Sequence, residues 1–289
     1  DATAAVAYRA LGGFAVVSGD PIGDPARYPE VVEDLTVLCR SRGWRMVILG
    51  ASAPCLVLWQ TQSVAGTHPI SVPNGRDVVI DLARFNVTGR RKRNLRQAVQ
   101  RTRNAGVTTE VVPESDLNGR LHDELHEVMT ISKKAVGAER GFSMMLGGTL
   151  SGIFPGVWLI IARDRAGRIQ GFHRYVSIGP DTDLSLDLPW RRTDAPIGID
   201  ERLSVDMIAW AKNRGMQRVS LAFAPFPDLF ARNSGISVRT RALRILAHLL
   251  DRFIKLESLY RYVRKFDAMG EPRYVLLPLP HVAAAAAVM

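Results

Sequence analysis

The chain has 289 residues, of which 47% are hydrophobic and 23% are charged, a balance that excludes an intrinsically disordered protein. No apolar run reaches the roughly 20 residues that a membrane-spanning helix needs. Lysine and arginine number 38 against 28 acidic residues, and the resulting net charge of +10 favours a polyanionic partner, either nucleic acid or an anionic membrane surface.

The first half of the chain alternates predicted strands with amphipathic helices. The pattern predicts a strand at FAVV, a helix over YPEVVEDLTVLCRSRGW that ends near Gly43, and strands at RMVILGAS, CLVLWQTQS and RDVVIDLARF. The apolar face of that helix is expected to carry Val31, Val32, Leu35, Val37 and Leu38. A strongly basic helix follows over TGRRKRNLRQAVQRTRNAGV, with Gly106 as its C-cap.

The second half repeats this rhythm. It predicts the helix LHDELHEVMTISKKAV, a hairpin that turns at Ala166–Gly167, the strand DTDLSLDLPW, the helix GIDERLSVDMIAWAKNRGM, the strand RVSLAFAP, a second basic helix over RTRALRILAHLLDRFIKLESLYRYV, and the strand PRYVLLPLP. The expected fold class is therefore mixed α/β (α+β), in two similar halves that pack together over residues 1–135 and 136–289. The chain starts at Asp1 without a Met or a signal-peptide pattern, so we expect a piece of a longer protein or a processed product.

The first stretch that can carry chemistry is the basic helix, which has seven cations in the fourteen positions from Arg90 to Arg103. No acidic residue lies within four positions of them, so the cations repel one another. Such a helix contacts phosphates, or else it is only a solvated face. The candidate anion-binding residues are Arg90, Arg91, Lys92, Arg93 and Arg96.

The second stretch is SLDLPWRRTDAPIGIDERL. Asp187 alternates with Ser185 along a strand whose other face carries leucines. A carboxylate at a strand end can bind an ammonium group while Arg191 and Arg192 hold an acid or a phosphate. The alternative is a strand-end ion pair.

The third stretch is MGEPRY, between the second basic helix and the last strand. Glu271 and Arg273 flank Pro272, so their side chains are expected on the same side of an extended backbone. They belong either to a substrate pocket or to a local ion pair. The helix before them either fills the core or lies on a membrane surface.

Several familiar sites are absent from the sequence: HExxH, a CxxC pair, a Walker-type phosphate loop and GxSxG. His122 and His126 stand four residues apart, which fits either a metal pair or an exposed helix, and we predict no metal and no cofactor. Cys39 and Cys55 are interpreted as reduced core residues. The expected chemistry activates a substrate amine or hydroxyl without a covalent nucleophile.

The closing LYRYVRKFDAMGEPRYVLL resembles the C-terminal signature of the bacterial aminoacyl-phosphatidylglycerol synthases, the multiple peptide resistance factor (MprF) and LysX group. The resemblance extends in order over about residues 18–278. It includes the Gly-Asp-Pro turn of GDPIGD, the basic helix, the Ile-Ser to Phe-Ser segment of ISKKAVGAERGFSM, and the Asp-Glu helix and Ala-Pro strand of APIGIDERLSVDMIAWAKNRGMQRVSLAFAP.

This resemblance implies a tandem acyltransferase fold of two GNAT-like halves, on the cytoplasmic face of the membrane as part of an integral membrane protein. The implied reaction moves an aminoacyl group from aminoacyl-tRNA to the hydroxyl of a membrane lipid, so the implied partners are aminoacyl-tRNA, an anionic lipid and an N-terminal transmembrane domain. Because the aminoacyl ester is already activated, proximity and proton management suffice. The resemblance implies catalytic roles for Asp187, Glu271, Arg191 and Lys265, and substrate-binding roles for Tyr260, Arg273, Arg192 and Asp200.

One departure from the family pattern concerns the strand end. The family reads Asp-Leu-Met-Arg, whereas this chain reads Asp187-Leu188-Pro189-Trp190-Arg191, with the arginine displaced by one position. The transferred amino acid (lysine or alanine) and the acceptor (phosphatidylglycerol or a diacylglycerol-like lipid) therefore stay open. Two other functions stay open as well: an acetyl-CoA-dependent N-acetyltransferase, whose pyrophosphate loop is not found, and a non-catalytic lipid- or RNA-binding module.

Overall fold

A computed structural model describes residues 3–61, 69–136, 148–179, 181–225 and 256–278. The chain forms two units that interleave along the sequence. The first unit comprises residues 1–77, 224–253 and 270–289, and the second comprises 78–223 and 254–269. Among the described residues, no helix is long and apolar enough to cross a membrane.

The strands are β1 Ala4–Ala5, β2 Tyr8–Leu11, β3 Phe14–Ser18, β4 Ile22–Gly23, β5 Arg45–Ser52, β6 Pro69–Asp81, β7 Thr108–Pro113, β8 Val157–Arg163, β9 Ile169–Ile178, β10 Asp183–Arg191, β11 Arg218–Pro225 and β12 Met269–Pro278. The helices are α1 Tyr28–Arg42, α2 Leu56–Gln60, α3 Arg93–Asn104, α4 Gly119–Val136, α5 Ile199–Asn213 and α6 Leu256–Arg264. Short 3₁₀ turns cover Pro25–Arg27 and Glu114–Asp116.

The first unit contains the strand order β2-β3-β5-β12, in which β3 and β5 are parallel and the other pairs antiparallel. Helix α1 buries Val32, Leu35 and Cys39 against this sheet, a spacing of three and four residues that matches one helix face. The expected face was wrong at one position, because Val37 is 52% exposed. The positive φ of Gly43 ends the helix as expected.

The segment CLVLWQTQS was expected to be a strand, and that expectation is wrong. It contains the short helix α2, whose Trp59 is fully buried in the core of the first unit. A short apolar run has too few residues for its period to distinguish a strand from a buried helix, so burial of the large Trp59 ring decides the conformation.

The second unit contains the strand order β11-β10-β9-β8-β7. Strands β10 and β11 are parallel, and the other pairs are antiparallel. The expected hairpin joins β8 and β9, with Gly167 at φ +80°, and the basic helix α3 is followed by Gly106 at φ +80°. One face of the sheet packs on α4, and Leu125 of α4 belongs to the same hydrophobic cluster as Phe172 of β9. These elements confirm the expected mixed α/β class.

Some expectations fall outside the described residues. They include the second basic helix before residue 256 and the part of ISKKAVGAERGFSM beyond residue 136. The expected halves 1–135 and 136–289 rest on the repeated pattern of strands and helices, whereas the two units above are defined by contacts. The halves therefore stay a prediction.

Candidate active site

Two consecutive carboxylates at the start of α5 each hold one cation. The Asp200 Oδ2 atom lies 3.2 Å from Nε of Arg191, and the Glu201 carboxylate pairs with the Lys265 amine. Acidic side chains are favourable in the first turn of a helix, where the backbone N–H groups carry partial positive charge. The side chains of Arg191 and Lys265 remain 51% and 32% exposed. Three of the residues singled out in the sequence, Arg191, Asp200 and Lys265, therefore meet at one place.

The carboxylate of Asp200 also contacts a buried polar chain. Its Oδ1 atom lies 3.2 Å from Nε2 of His173, and the His173 Nδ1 atom lies 3.4 Å from the Ser204 hydroxyl. Ser204 in turn bonds the hydroxyl of Tyr262 on α6 and contacts that of Tyr175 on β9. His173, Ser204 and Tyr175 are fully buried. Hydrogen bonds thus connect the core of the second unit to Asp200.

The charge state of this chain follows from its surroundings. Burial opposes ionisation of Asp200, but the hydrogen bond from His173 and the charges of His173, Arg191 and Lys265 together lower its pKa. Burial raises the pKa of Tyr262 well above its ordinary value. Asp200 is therefore ionised at neutral pH while the tyrosine stays protonated, and the ionised carboxylate of Asp200 anchors Arg191.

A second polar cluster lies on the opposite face of the same sheet. Arg174 follows His173 in β9, and successive side chains of a strand point to opposite faces. Its fully buried guanidinium makes two bonds of 2.8 and 2.9 Å to Glu114 and one of 2.8 Å to Asp187. The Glu114 carboxylate also accepts the backbone N–H of Leu150. Asp187 is thus held by Arg174 and is only 4% exposed.

A β-bulge separates Asp187 from Arg191. The pairing of β10 with β9 shifts between Leu186 and Leu188, which leaves Asp187 as the extra residue. Beyond the bulge, Trp190 pairs with Phe172 on the α4 face, and Arg191 is turned to the α5 face. Because side chains alternate along a strand, displacing the arginine by one position relative to the family pattern moves its side chain to the other face of the sheet. The structure does not bring Asp187 and Arg191 together.

Two of the proposed substrate-binding residues are buried. Arg192 is 3% exposed, donates to the carbonyl of Ile169 at 2.8 Å, and pairs with Glu127 at 2.8 Å. Tyr260 is 8% exposed on α6. Of the two adjacent arginines, Arg191 is therefore the one with an exposed guanidinium, and substrate contact through Arg192 or Tyr260 stays a prediction.

The Glu-Pro-Arg-Tyr tetrad lies in the first unit. Arg273 binds Asp77 at 2.6 Å and Asp20 at 3.0 Å, and Asp20 also accepts the backbone N–H of Ser52 at 3.1 Å. The Gly-Asp-Pro turn and the tetrad, two separate motifs in the sequence, are thus joined by one ion pair. Glu271 is exposed. Its role beside an aminoacyl group stays a prediction.

The cations of the basic stretch differ in their surroundings. Arg90, Arg91 and Arg93 are exposed, and Arg91 pairs with Asp267 at 3.4 Å. Arg96 caps the preceding loop by donating to two carbonyls at 2.7 Å, those of Val87 and Gly89. The Lys92 amine donates to the carbonyl of Phe266. Lys92 and Arg96 therefore stabilise the local backbone. The exposed Arg90, Arg91 and Arg93 can contact a ligand.

Sequence reasoning missed His173, Arg174, Ser204 and Glu114. The signal that points to the first two is a polar pair inside the apolar run GFHRYVSI, since buried charges are rare unless they are paired. Ser204 and Glu114 carry no such signal. In the part of the chain that the structure describes, no group of three metal-ligating side chains is found.

The fold of the chain is that of solved synthase domains. The structure of L-PGS from Bacillus licheniformis matches it with a TM-score of 0.79 at 18% identity, covering 98% of this chain and 83% of that one. The C-terminal domain of a putative lysylphosphatidylglycerol synthetase from Agrobacterium fabrum matches with a TM-score of 0.76 at 23% identity, covering 98% and 83%. This is the fold class that the sequence resemblance implied.

Over residues 1–277 the sequence matches the family described as "Phosphatidylglycerol lysyltransferase, C-terminal". The chain belongs to this family. It is 55% identical over 287 residues to the MprF-like domain protein Rv1619 of Mycobacterium tuberculosis (strain ATCC 25618 / H37Rv), covering 99% of this chain and 59% of that protein. It is 32% identical to the lysylphosphatidylglycerol biosynthesis bifunctional protein LysX of Rhodococcus jostii (strain RHA1), covering 94% of this chain and 24% of that protein. The chain thus spans less than two thirds of these relatives.

Proposed function

We propose that this chain transfers an aminoacyl group from aminoacyl-tRNA to the hydroxyl of a membrane lipid, either phosphatidylglycerol or a related lipid such as diacylglycerol. It acts as the catalytic part of a longer membrane protein, on the cytoplasmic face. The observation that carries the proposal is a pair of cations, the half-exposed Arg191 and the partly exposed Lys265, each anchored by a carboxylate at the start of α5.

The donor RNA carries phosphate groups, as does phosphatidylglycerol among the acceptors, and the transferred carbonyl develops negative charge when it is attacked. Cations fixed in advance stabilise such charge better than mobile ones, because no reorganisation is needed during the reaction. Arg191 is fixed by Asp200, which is fixed in turn by the buried His173. Membership of the phosphatidylglycerol lysyltransferase family supports the same reaction class.

The reaction balances without a cofactor. The lipid hydroxyl oxygen attacks the ester carbonyl of the aminoacyl-tRNA, and a new carbon–oxygen bond forms while the bond to the ribose oxygen breaks. The lipid hydroxyl proton ends on the departing ribose oxygen. Lysyl transfer would give an anionic lipid two ammonium groups, and this positive charge would weaken the binding of cationic antimicrobial peptides.

The test expresses the full-length protein in a host that lacks aminoacylated lipids, followed by mass spectrometry of the total lipid extract. We expect a new aminoacyl ester, whose mass identifies both the amino acid and the acceptor. Lys265→Met and Arg191→Gln are each expected to lower the yield by about 100-fold, the usual effect of losing one charge-stabilising donor.

The matched control is Arg168→Gln, which removes a half-exposed arginine whose partner Asp194 is also exposed. Its yield is expected to equal that of the unchanged protein. A lipid extract without aminoacyl esters, from cells in which the protein is folded and membrane-bound, would refute the proposal. Tight binding of acetyl-CoA measured by calorimetry would then favour an N-acetyltransferase.

A further inference from the structure

An open cleft of about 580 Å³ lies in the second unit, between the loop after β6 and the segment that follows α6. The loop contributes Arg84, Phe85 and the Gly89–Lys92 run, and the segment contributes Phe266–Ala268. The hydrogen bond from Lys92 to the Phe266 carbonyl joins the two walls. The cleft thus lies within one unit, and a hydrogen bond of that unit joins its walls.

The charge of the cleft is positive. Arg84, Arg90, Arg91 and Lys92 line it against two carboxylates, Asp81 and Asp267. The two ion pairs that involve these carboxylates, Arg84–Asp81 at 3.5 Å and Arg91–Asp267 at 3.4 Å, have arginines that are 90% and 85% exposed. Exposed pairs of this kind are weak and exchange readily for a phosphate. Three guanidinium groups are therefore available to an anion.

The cleft also contains a partly exposed aromatic ring. Phe85 lines it, and the Lys92 amine lies 5.1 Å from the centre of the Phe85 ring. An aromatic face among cations is the arrangement that stacks the bases of single-stranded nucleic acid while arginines hold the backbone.

The cleft adjoins the candidate active site along the chain. Phe266, which forms part of the cleft wall, directly follows Lys265, whose amine pairs with Glu201. Consecutive Cα atoms are about 3.8 Å apart. A strand bound in the cleft would therefore end near the cation that we assign to the transfer reaction.

A membrane surface fits the cleft less well than RNA. Insertion into the membrane interface requires large exposed apolar side chains beside the cations. Of the large hydrophobic residues that are exposed among the described residues, only Val79 lines the cleft. The adjoining helix α3 adds the cations Arg93, Arg101 and Arg103 and no exposed large hydrophobic residue.

We infer that this cleft binds the unpaired 3′ end of the donor RNA, with phosphodiesters on Arg84, Arg90 and Arg91 and a base stacked on Phe85. The inference rests on the proposed function, because it takes the donor to be an aminoacyl-tRNA. The inference adds two features to the proposed function: the cleft as the place that holds the 3′ end of the donor, and Phe85 as the residue on which a base stacks.

The test measures fluorescence anisotropy with a labelled RNA hairpin that carries a four-nucleotide unpaired 3′ extension, compared with the same hairpin with a blunt end. We expect the extended hairpin to bind about tenfold more tightly. Phe85→Leu keeps an apolar side chain but removes the stacking face, and is expected to weaken binding of the extended hairpin by roughly 5-fold or more. Arg90→Gln combined with Arg91→Gln should reduce the slope of log affinity against log salt by about 1.4.

Arg120→Gln is the matched control, since Arg120 is 90% exposed on α4 of the same unit and does not line the cleft. Its affinity for the extended hairpin should stay within about twofold, and thermal unfolding of all variants checks that they are folded. Equal affinity for extended and blunt hairpins, or an extended-end preference that survives both cleft variants, would overturn the inference. So would loss of binding to phosphatidylglycerol vesicles in the double variant with RNA binding unchanged, because the occupant would then be a membrane.

Failure of the inference and failure of the proposed function give different results. An extended-end preference that depends on Phe85, in a protein that makes no aminoacyl lipid, supports the RNA site and refutes the transfer reaction. Aminoacyl lipid formed by a protein without that preference supports the transfer reaction and refutes this cleft as the donor site.

Discussion

At the scale of single residues, Asp200 connects a half-exposed arginine with a buried histidine. One of its oxygens contacts His173, which is fully buried, and the other contacts Arg191, which is half-exposed. Because the bonds are made by different oxygens, neither has to break for the other to form. The Asp200 carboxylate therefore links the position of His173 to that of the guanidinium that we assign to the substrate.

The lowered pKa of Asp200 gives a stability that depends on pH. A carboxyl whose pKa falls on folding stabilises the native state above its unfolded pKa, about 3.9, and that contribution is lost as the pH falls below it. Asp200→Asn should therefore lower the free energy of unfolding by about 1–3 kcal/mol at pH 7. The difference from the unchanged protein should shrink between pH 5 and pH 3, as measured by urea unfolding.

The control for that experiment is Asp194→Asn, whose carboxylate is 63% exposed in its pair with Arg168. It should change the free energy of unfolding by less than about 0.5 kcal/mol at either pH. A difference between Asp200→Asn and the unchanged protein that stays constant down to pH 3 would show that Asp200 gains nothing from being ionised.

Arg174 is the residue on which the second polar cluster depends, because it lies between two buried carboxylates. Arg174→Met should lower the free energy of unfolding by about 3–5 kcal/mol, since it leaves Glu114 and Asp187 buried without this cation. Adding Glu114→Gln should recover part of the loss by removing one of the two charges. Chemical denaturation measures both, and a double variant no more stable than the single one would contradict the account.

At the scale of elements, the position of α5 depends on how closely it approaches α3. Gly198 precedes α5 at φ +102°, and a Cβ there would lie 2.7 Å from the carbonyl oxygen of Ala98. Only glycine tolerates both that backbone conformation and that contact. The close approach fixes the first turn of α5, and with it Asp200 and Glu201.

Gly198→Ala should therefore be more damaging than an ordinary glycine substitution. We expect a loss of more than about 2 kcal/mol in the free energy of unfolding, because left-handed strain of about 1–2 kcal/mol adds to a backbone clash. Gly215→Ala is the matched control, since Gly215 has φ +77° but no atom within 4 Å of the added Cβ. It should lose only about 1 kcal/mol. Equal losses in urea unfolding would mean that the contact with Ala98 is unimportant.

The elements also show how far the sequence predicts the site. Helical and alternating periods predicted α1, α3, α5 and the β8–β9 hairpin, because each has one apolar face. The position of the bulge at Asp187 could not be predicted from the period, since it depends on the pairing of β10 with β9, although Pro189 nearby is a residue type that accompanies bulges. The strand-end position and the family resemblance placed Asp187 and Arg191 in one pocket, but the bulge puts them on opposite faces of the sheet.

At the scale of the whole molecule, the interleaved units set the consequences of cutting the chain. The second unit draws on both sides of residue 135, so a cut there divides its sheet between β7 and β8. The same cut separates Glu114 from Arg174 and Ala98 from Gly198. Contacts that bury charge and backbone are lost together by a cut at the boundary between the two similar halves that the sequence predicts.

We therefore expect neither residues 1–135 nor residues 136–289 to fold alone. Each half should lack a near-ultraviolet circular dichroism signal and a cooperative thermal transition, because a buried ion such as Glu114 or Arg174 without its partner costs several kcal/mol. The control is the two halves expressed together, which should recover the signal by restoring the β7–β8 pairing and the buried ion pair. A cooperative transition in an isolated half would instead favour two independently folding repeats, with the contacts across residue 135 contributing little to the stability of either.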